Sequence, residues 1–283
     1  MRDRFDRGTI QVSCDETFKP VVDQLVMVYE SQYPDTKINV HYKPEAECLN
    51  DLLDSSIRMV IATRGYSASE QKMIIDSLDT DPQQMVVARD LVTVLVHPSM
   101  PDPFFSMTEL KDLLSGRSKE NLVPVFDGNR ATSTVRFMID SVLKGDSLGK
   151  NVVAAKNSVD VIDYVSRVPK AVGFVGFSWI GNMDDTAQVT ARKKIRIAYI
   201  ESTDSAGAYV QPSQYFIYTK SYPLVRDLVY VLKERHQGLG HAFASFMEGD
   251  RGQLIFRRSY LMPVLKPNYI RNTKINEKLT TGK

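Results

Sequence analysis

Thr9-Ile10-Gln11-Val12-Ser13, Lys37-Ile38-Asn39-Val40-His41-Tyr42 and Arg58-Met59-Val60-Ile61-Ala62 are three short runs rich in β-branched side chains, and each reads as a strand. Helical patterns lie between and after them. Phe18, Val21, Val22, Leu25, Val26 and Tyr29 recur at helical spacing behind the capping side chains Asp15-Glu16-Thr17. That helix runs to about Tyr33, where Pro34 stops it, and Pro20 sits in its first turn, where proline is tolerated. Pro44-Glu45-Ala46-Glu47 opens a second helix through Leu53, with acids in the positive first turn. Ser67 followed by Glu70 is a capping box for a third, to about Leu78. Strand and helix therefore alternate three times. That alternation predicts an α/β fold with a parallel sheet covered by helices on both faces. The nearly all-apolar third strand fits a sheet buried on both sides. In such sheets ligands sit beyond the carboxyl ends of the strands, here the loops 13–18, 42–47 and 62–67.

The next stretch, Gln84 to His97, is too long for an ordinary strand, and a strand leaving one lobe for another explains its length. Ser106 and Glu109 form a second capping box, for a helix to about Leu114. Strands are expected at 122–126, 152–155, 171–176 and 195–201, and helices at 132–143 and 157–165. Gln214–Tyr218 reads as an extended segment returning to the first lobe. Pro223–Glu234, Leu239–Met247 and Asp250–Arg258 read as helices. The expected architecture has two lobes with a ligand cleft between them. Residues 8–91 with 215–283 form one lobe and 92–214 the other.

A chain of 283 residues is long enough for two such lobes. With 36 basic and 34 acidic residues the net charge is +2, which offers no basic face for nucleic acid. No apolar run is long enough to span a membrane, and the charged start Met1–Arg7 lacks the apolar core of a secretion signal. Cys14 and Cys48 are too few for a disulfide framework, and read as two small, partly buried thiols or as one pair if their Cα atoms lie within about 7 Å. His41, His97, His236 and His241 show no metal-ligand spacing with them, so neither a metal nor a cofactor is expected. Nucleophile-elbow, zincin, P-loop and dinucleotide motifs are missing, and the one enzyme-like placement is Cys14 near His41.

The informative residues are Thr17, Ser133 and Thr134, each where a helix begins after a strand. A helix start offers free N–H groups and a positive dipole end to an oxyanion. Arg64 ends the third strand, and Arg130 and Arg136 flank the other loop; an arginine fork holds two oxygens at once. Taken singly, these are ordinary N-caps and solvated arginines. Together, at strand ends of both lobes, they point to a binding site.

The order of these motifs resembles the phosphate-binding proteins of ABC-type phosphate importers, two-lobed proteins of the periplasmic binding protein-like class II fold. Ser13-Cys14-Asp15-Glu16-Thr17-Phe18 is similar to that family's first loop, and Asn129-Arg130-Ala131-Thr132-Ser133-Thr134-Val135-Arg136-Phe137 to its second-lobe helix start. Ala171–Val175 resembles its Gly-Ala-Ile-Gly-Tyr strand, and Tyr260–Val264 its closing segment. The resemblance spans about residues 9–265. It implies a monomeric, non-enzymatic protein outside the cytoplasmic membrane, of a kind that an upstream lipid anchor can hold there. It implies phosphate or a similar small anion as ligand and an importer permease as partner. Thr17 and Phe18 would bind from one lobe, Ser133 and Thr134 from the other, and Arg130 or Arg136 would supply charge. The pattern departs at Glu45 and Glu47, where the family has Ser and Gly, and at Thr63-Arg64, where it has an Asp. Carboxylates there repel a dianion or pair with the arginines. A different organic anion, or a sensor or interaction role without transport, therefore stays open.

Overall fold

The computed structural model describes residues 3–128, 132–234 and 236–264. β1 (Arg7–Asp15) pairs in parallel with β2 (Asp35–Lys43) on one side and β3 (Ile57–Ala62) on the other. α1 (Lys19–Gln32) and α2 (Glu45–Asn50) lie in the crossovers. The capping box at Ser67 and Glu70 is present and starts α3 (Ala68–Leu78). Met59 and Ile61 of β3 enter a core with Val12, Leu25 and Phe243, while Ile57, Val60 and Ala62 enter another with Leu52 and Ile74. This two-sided burial explains the continuous apolar run. Cys14 belongs to the first core and Cys48 to the second, so the sheet separates two free, buried thiols.

β4 (Gln83–Val96) follows, then β5 (Phe104–Phe105), α4 (Met107–Ser115), β6 (Val123–Phe126), α5 (Ser133–Met138), β7 (Val153–Ala154), α6 (Ser158–Arg167), β8 (Ala171–Gly176) and α7 (Thr186–Arg192). The short strands β9 (Arg196–Ile197), β10 (Tyr199–Glu201) and β11 (Tyr209–Val210) lead to α8 (Gln214–Tyr218) and β12 (Val225–Leu232). The described chain closes with α9 (Leu239–Glu248), α10 (Asp250–Arg258) and β13 (Met262–Pro263). The second capping box, Ser106 with Glu109, is also present.

The main sheet runs β2-β1-β3-β12-β4-β8-β6-β7. β4 is 14 residues long because it serves both lobes. Residues 83–91 pair antiparallel with β12, and residues 92–96 pair antiparallel with β8. In the second lobe β6 pairs in parallel with β7 and β8. Its core gathers Val94, Leu110, Phe126, Met138, Val161 and Phe174.

Two sequence readings are corrected here. Gln214–Tyr218 is not extended but is α8, whose first turn is held by the Ser213 hydroxyl accepting from the Phe216 amide at 3.3 Å. Pro223–Glu234 is not a helix; it contains β12, the strand that returns between β3 and β4. Leu228-Val229-Tyr230-Val231-Leu232 has no polar helical face, and its β-branched and aromatic side chains fit a strand covered on both sides. Leu228 and Tyr230 enter one core of the first lobe, and Val231 enters the other.

Just beyond β12, Lys233 is buried and donates to the carbonyls of Asp51, Leu52 and Asp54 at 2.7, 2.8 and 2.8 Å. This ties β12 to the turn before β3. Lys233→Met keeps the aliphatic stem and orphans three carbonyls, each costing about 1 kcal/mol. The expected result is a thermal midpoint roughly 6–12 °C lower by calorimetry. An unchanged midpoint would mean that solvent reaches these carbonyls.

Candidate functional site between the lobes

The carboxyl ends of β1, β3, β6 and β8 meet where β4 and β12 cross between the lobes. At that crossing Arg226 of β12 stands opposite Asp90 of β4 in the ladder. Both are buried, with side chains 2% and 0% exposed. Arg226 Nε and Nη2 donate to Asp90 Oδ2 at 3.0 and 2.8 Å. Its Nη1 donates to Ser133 Oγ and Thr134 Oγ1, both at 3.2 Å, and its Nη2 also donates to Thr17 Oγ1. The Phe177 amide donates to the other Asp90 oxygen at 3.2 Å. The Phe18 ring lies 5.7 Å from the guanidinium carbon, so its face favours the cation.

Local sequence explains these placements. Asp15 ends β1 and accepts from the Thr17 amide at 3.2 Å, turning the chain so that Thr17 and Phe18 face inward. Thr132 caps α5 through the Val135 amide, which presents Ser133 and Thr134 on the buried first turn. α5 runs on without a break into a π-helical turn, Ile139–Leu143, and the charge at its start comes from Arg226. Gly176 ends β8 against the cluster: a Cβ there would lie 2.7 Å from Arg226 Nη2, 2.8 Å from Thr17 Oγ1 and 2.9 Å from Asp90 Oδ2. Only glycine lets β8 come this close. Ser178 Oγ donates to the Thr17 carbonyl at 2.8 Å, and Ser158 Oγ to Glu16 at 3.0 Å, so second-lobe hydroxyls close the back of the site.

A second cluster adjoins the first. Arg136 donates from Nε to Glu45 Oε2 at 2.6 Å, and from Nη2 to Glu45 Oε1 at 3.2 Å and Thr63 Oγ1 at 2.7 Å. Thr63 in turn donates its amide and hydroxyl to Glu45. An α5 arginine thus clasps the first-lobe loops after β2 and β3. Burial alone would raise the Glu45 carboxyl, but the Arg136 guanidinium and Thr63 hold it below the usual range. Beside this clasp is a cavity of about 450 Å³ walled by Leu49, Leu52 and Ile74, with Arg64, Arg136 and Glu70 at its polar side.

Several acids face the centre. Burial pushes Asp15 up to about 7, with the Ser133 hydroxyl and Arg226 pulling partly back. Burial and the nearby Asp127 push Glu16 up to about 7. Asp127 and Asp90 are also raised by burial, despite Arg226. The site therefore combines one caged cation paired with Asp90, three hydroxyls, and two carboxyls, Asp15 and Glu16, that hold protons near neutrality. It can offer donors to an anion.

The structure brings together Thr17, Phe18, Ser133 and Thr134 as one group and Glu45 with Arg136 as its neighbour. Arg64 joins neither cluster: at the edge of the cavity it makes a bidentate pair with Glu70 at 2.9 and 2.8 Å and donates to the Gly65 carbonyl of its own loop. Arg130 lies outside the described residues. Cys14 and His41 do not form a nucleophilic pair. Burial raises the Cys14 thiol well above its usual range, and His41 instead meets Gln11 at 2.8 Å. Sequence reasoning missed Arg226, Asp90 and Gly176. The available signal was a pair of opposite charges beside each of two apolar runs, Arg89-Asp90 within 85–96 and Arg226-Asp227 just ahead of 228–232. The described residues hold one tight group of metal-ligand types, Asp3, Glu234 and His236. There Arg58 bridges Asp3 and Glu234 at 2.7 and 2.6 Å, and Glu234 accepts amides at the start of α9.

Residues 3–251 match the family model of the PBP superfamily domain. The chain belongs to the PBP superfamily. No curated protein sequence matches it. Among solved structures, a candidate phosphate ABC transporter substrate-binding protein with bound phosphate from Clostridium perfringens is 18% identical. The match covers 91% of this chain and all of that one, with a TM-score of 0.75. An ABC-type phosphate transport receptor from Vibrio cholerae is 15% identical over 90% of this chain and all of that one, with a TM-score of 0.66. The OxyR2 regulatory domain from Vibrio vulnificus is 11% identical over 87% and 95% of the two chains, at 0.54. The fold alone therefore does not fix a role, which has to be argued from the residues of the site.

Proposed function

We propose that the protein is a solute-binding protein, not an enzyme, that takes phosphate or a similar small oxyanion between its lobes and passes it to an ABC importer outside the cytoplasmic membrane. The observation that carries this reading is the convergence of Thr17 from one lobe with Ser133 and Thr134 from the other on a single buried guanidinium. Hydroxyls from two lobes on one point suit a ligand that is gripped by closure. The likeness to phosphate-binding structures supports the same choice. Among the described residues no helix is long and apolar enough to cross a membrane; on this reading the carrier is a monomer that meets its permease as a partner. The lobes would exchange through β4 near Leu91–Val92 and β12 near Val225, because Ile217, Tyr222 and Leu224 pack in the second-lobe core. Closure would bend these two strands.

The cavity of about 450 Å³ beside Glu45 and Arg136 favours a second reading, an organic anion whose body lies against Leu49 and Leu52. Thermal unfolding with millimolar phosphate, sulfate and a set of organic phosphates separates the two. A ligand at about 100 times its Kd adds roughly 2.7 kcal/mol and raises the midpoint by several degrees. A rise with phosphate, or with sulfate as a similar small oxyanion, is expected from the first reading. A rise with organic phosphates only would move the ligand to the second reading, and no rise with any anion would sink both.

A further inference from the structure

We propose that Arg226 is the positioning residue of the anion site and does not itself touch the solute. This rests on the reading that Thr17, Ser133 and Thr134 bind an oxyanion. A guanidinium carries five N–H donors. Two go to Asp90, two to Ser133 and Thr134, and one to Thr17. The count is filled, and the side chain is 2% exposed, so no donor remains for a solute. What the guanidinium does is take an acceptor position on each of three hydroxyls. A hydroxyl that accepts from a cation keeps its own proton and gives it more strongly to the next acceptor. Arg226 thereby turns three ordinary hydroxyls into three oriented donors drawn from both lobes. Two buried carboxyls, Asp15 and Asp127, adjoin this group, and each has an oxygen without a hydrogen-bond partner among the described residues.

The guanidinium is held in this role from every side. Asp90, its ladder partner, is fixed by the Phe177 amide. Phe18 covers one face, and the missing side chain of Gly176 leaves room for Nη2 and no more. A lysine ammonium offers three donors from one nitrogen and cannot reach Asp90 and all three hydroxyls.

The test uses the full chain and phosphate as probe, titrated by calorimetry. Arg226→Met paired with Asp90→Leu removes both buried charges together, which a core tolerates. That double variant is expected to fold and to bind phosphate roughly 10- to 100-fold more weakly, the loss of about one charge-assisted hydrogen bond. Arg226→Lys should lose a similar factor although its charge is kept. Added guanidinium should restore binding to Arg226→Ala, and added ammonium should not. Wild-type affinity in the folded double variant would overturn the proposal. If that variant does not fold, failure of guanidinium rescue overturns it instead. If the wild-type chain itself ignores phosphate, the anion reading fails separately. The positioning role is then read from slow exchange of the Thr17, Ser133 and Thr134 hydroxyl protons by NMR, and fast exchange in the wild type would refute it.

Discussion

Asp90→Leu alone is expected to cost about 3–5 kcal/mol, because it leaves the Arg226 charge buried without its carboxylate. The carboxylate takes two of the five guanidinium bonds and is itself fully buried. Water cannot replace it, since Phe18, Thr17, Ser133 and Thr134 surround the cation and Gly176 presses against it. In a chain of this size that loss lowers the thermal midpoint by roughly 6–20 °C. Pairing the change with Arg226→Met removes the orphaned charge and should recover most of the loss, because apolar replacement of both partners of a buried pair is often neutral or better. Thermal unfolding of the single and double variants measures this directly. Equal losses in both would mean that packing, not charge, holds the crossing of β4 and β12 together.

Raising the pH from about 5 to about 8 should destabilise the folded chain, and Asp15→Asn should remove part of that slope. The folded chain keeps a proton on Asp15 up to about 7, because burial penalises the anion, whereas the unfolded chain releases it near 3.8. Between those values the folded state binds more protons, so stability falls as pH rises, by up to about 1.4 kcal/mol per unit from this group. Glu16, also pushed up to about 7, and Asp127 act in the same direction, so Asp15→Asn removes the Asp15 share of the slope and leaves theirs. Asp3 and Glu70 act in the opposite one. Burial works against the charge on Asp3, but Arg58 overcomes it, and Arg64 pairs with Glu70, so both stay near 2. Their contribution is present above about pH 4 and is lost as pH falls further. A maximum in mildly acidic solution follows. Asparagine at position 15 can still cap the Thr17 amide, so the variant changes the charge and keeps the turn. A wild-type midpoint that is flat between these pH values would refute a protonated Asp15.

Much of the first lobe was legible because its signals are local. The capping boxes at Ser67 and Ser106, the stop at Pro34 and the apolar run of β3 each involve a few neighbouring residues. The length of β4 indicated a strand with two different sets of neighbours, and it pairs with β12 along 83–91 and with β8 along 92–96. Its return partner was misassigned because β12 is specified by a slot between β3 and β4 that only the tertiary structure creates. The same cause hid half of the site. Thr17, Ser133 and Thr134 could be found from strand-to-helix junctions. Arg226 could not, since its role follows from a ladder register with Asp90, distant in sequence. Arg64 looked equivalent to Arg136 in sequence, yet Glu70, placed for capping, claims it.

The most direct measurement is calorimetric titration of phosphate into the wild-type chain and into the Ser133→Ala, Thr134→Ala double variant. The expected result is one site per wild-type chain and, in a folded variant, affinity weaker by about 100-fold or more, as two lost charge-assisted hydrogen bonds require. Equal affinity in the two chains would place the anion elsewhere, and no binding to the wild type would remove phosphate from the account.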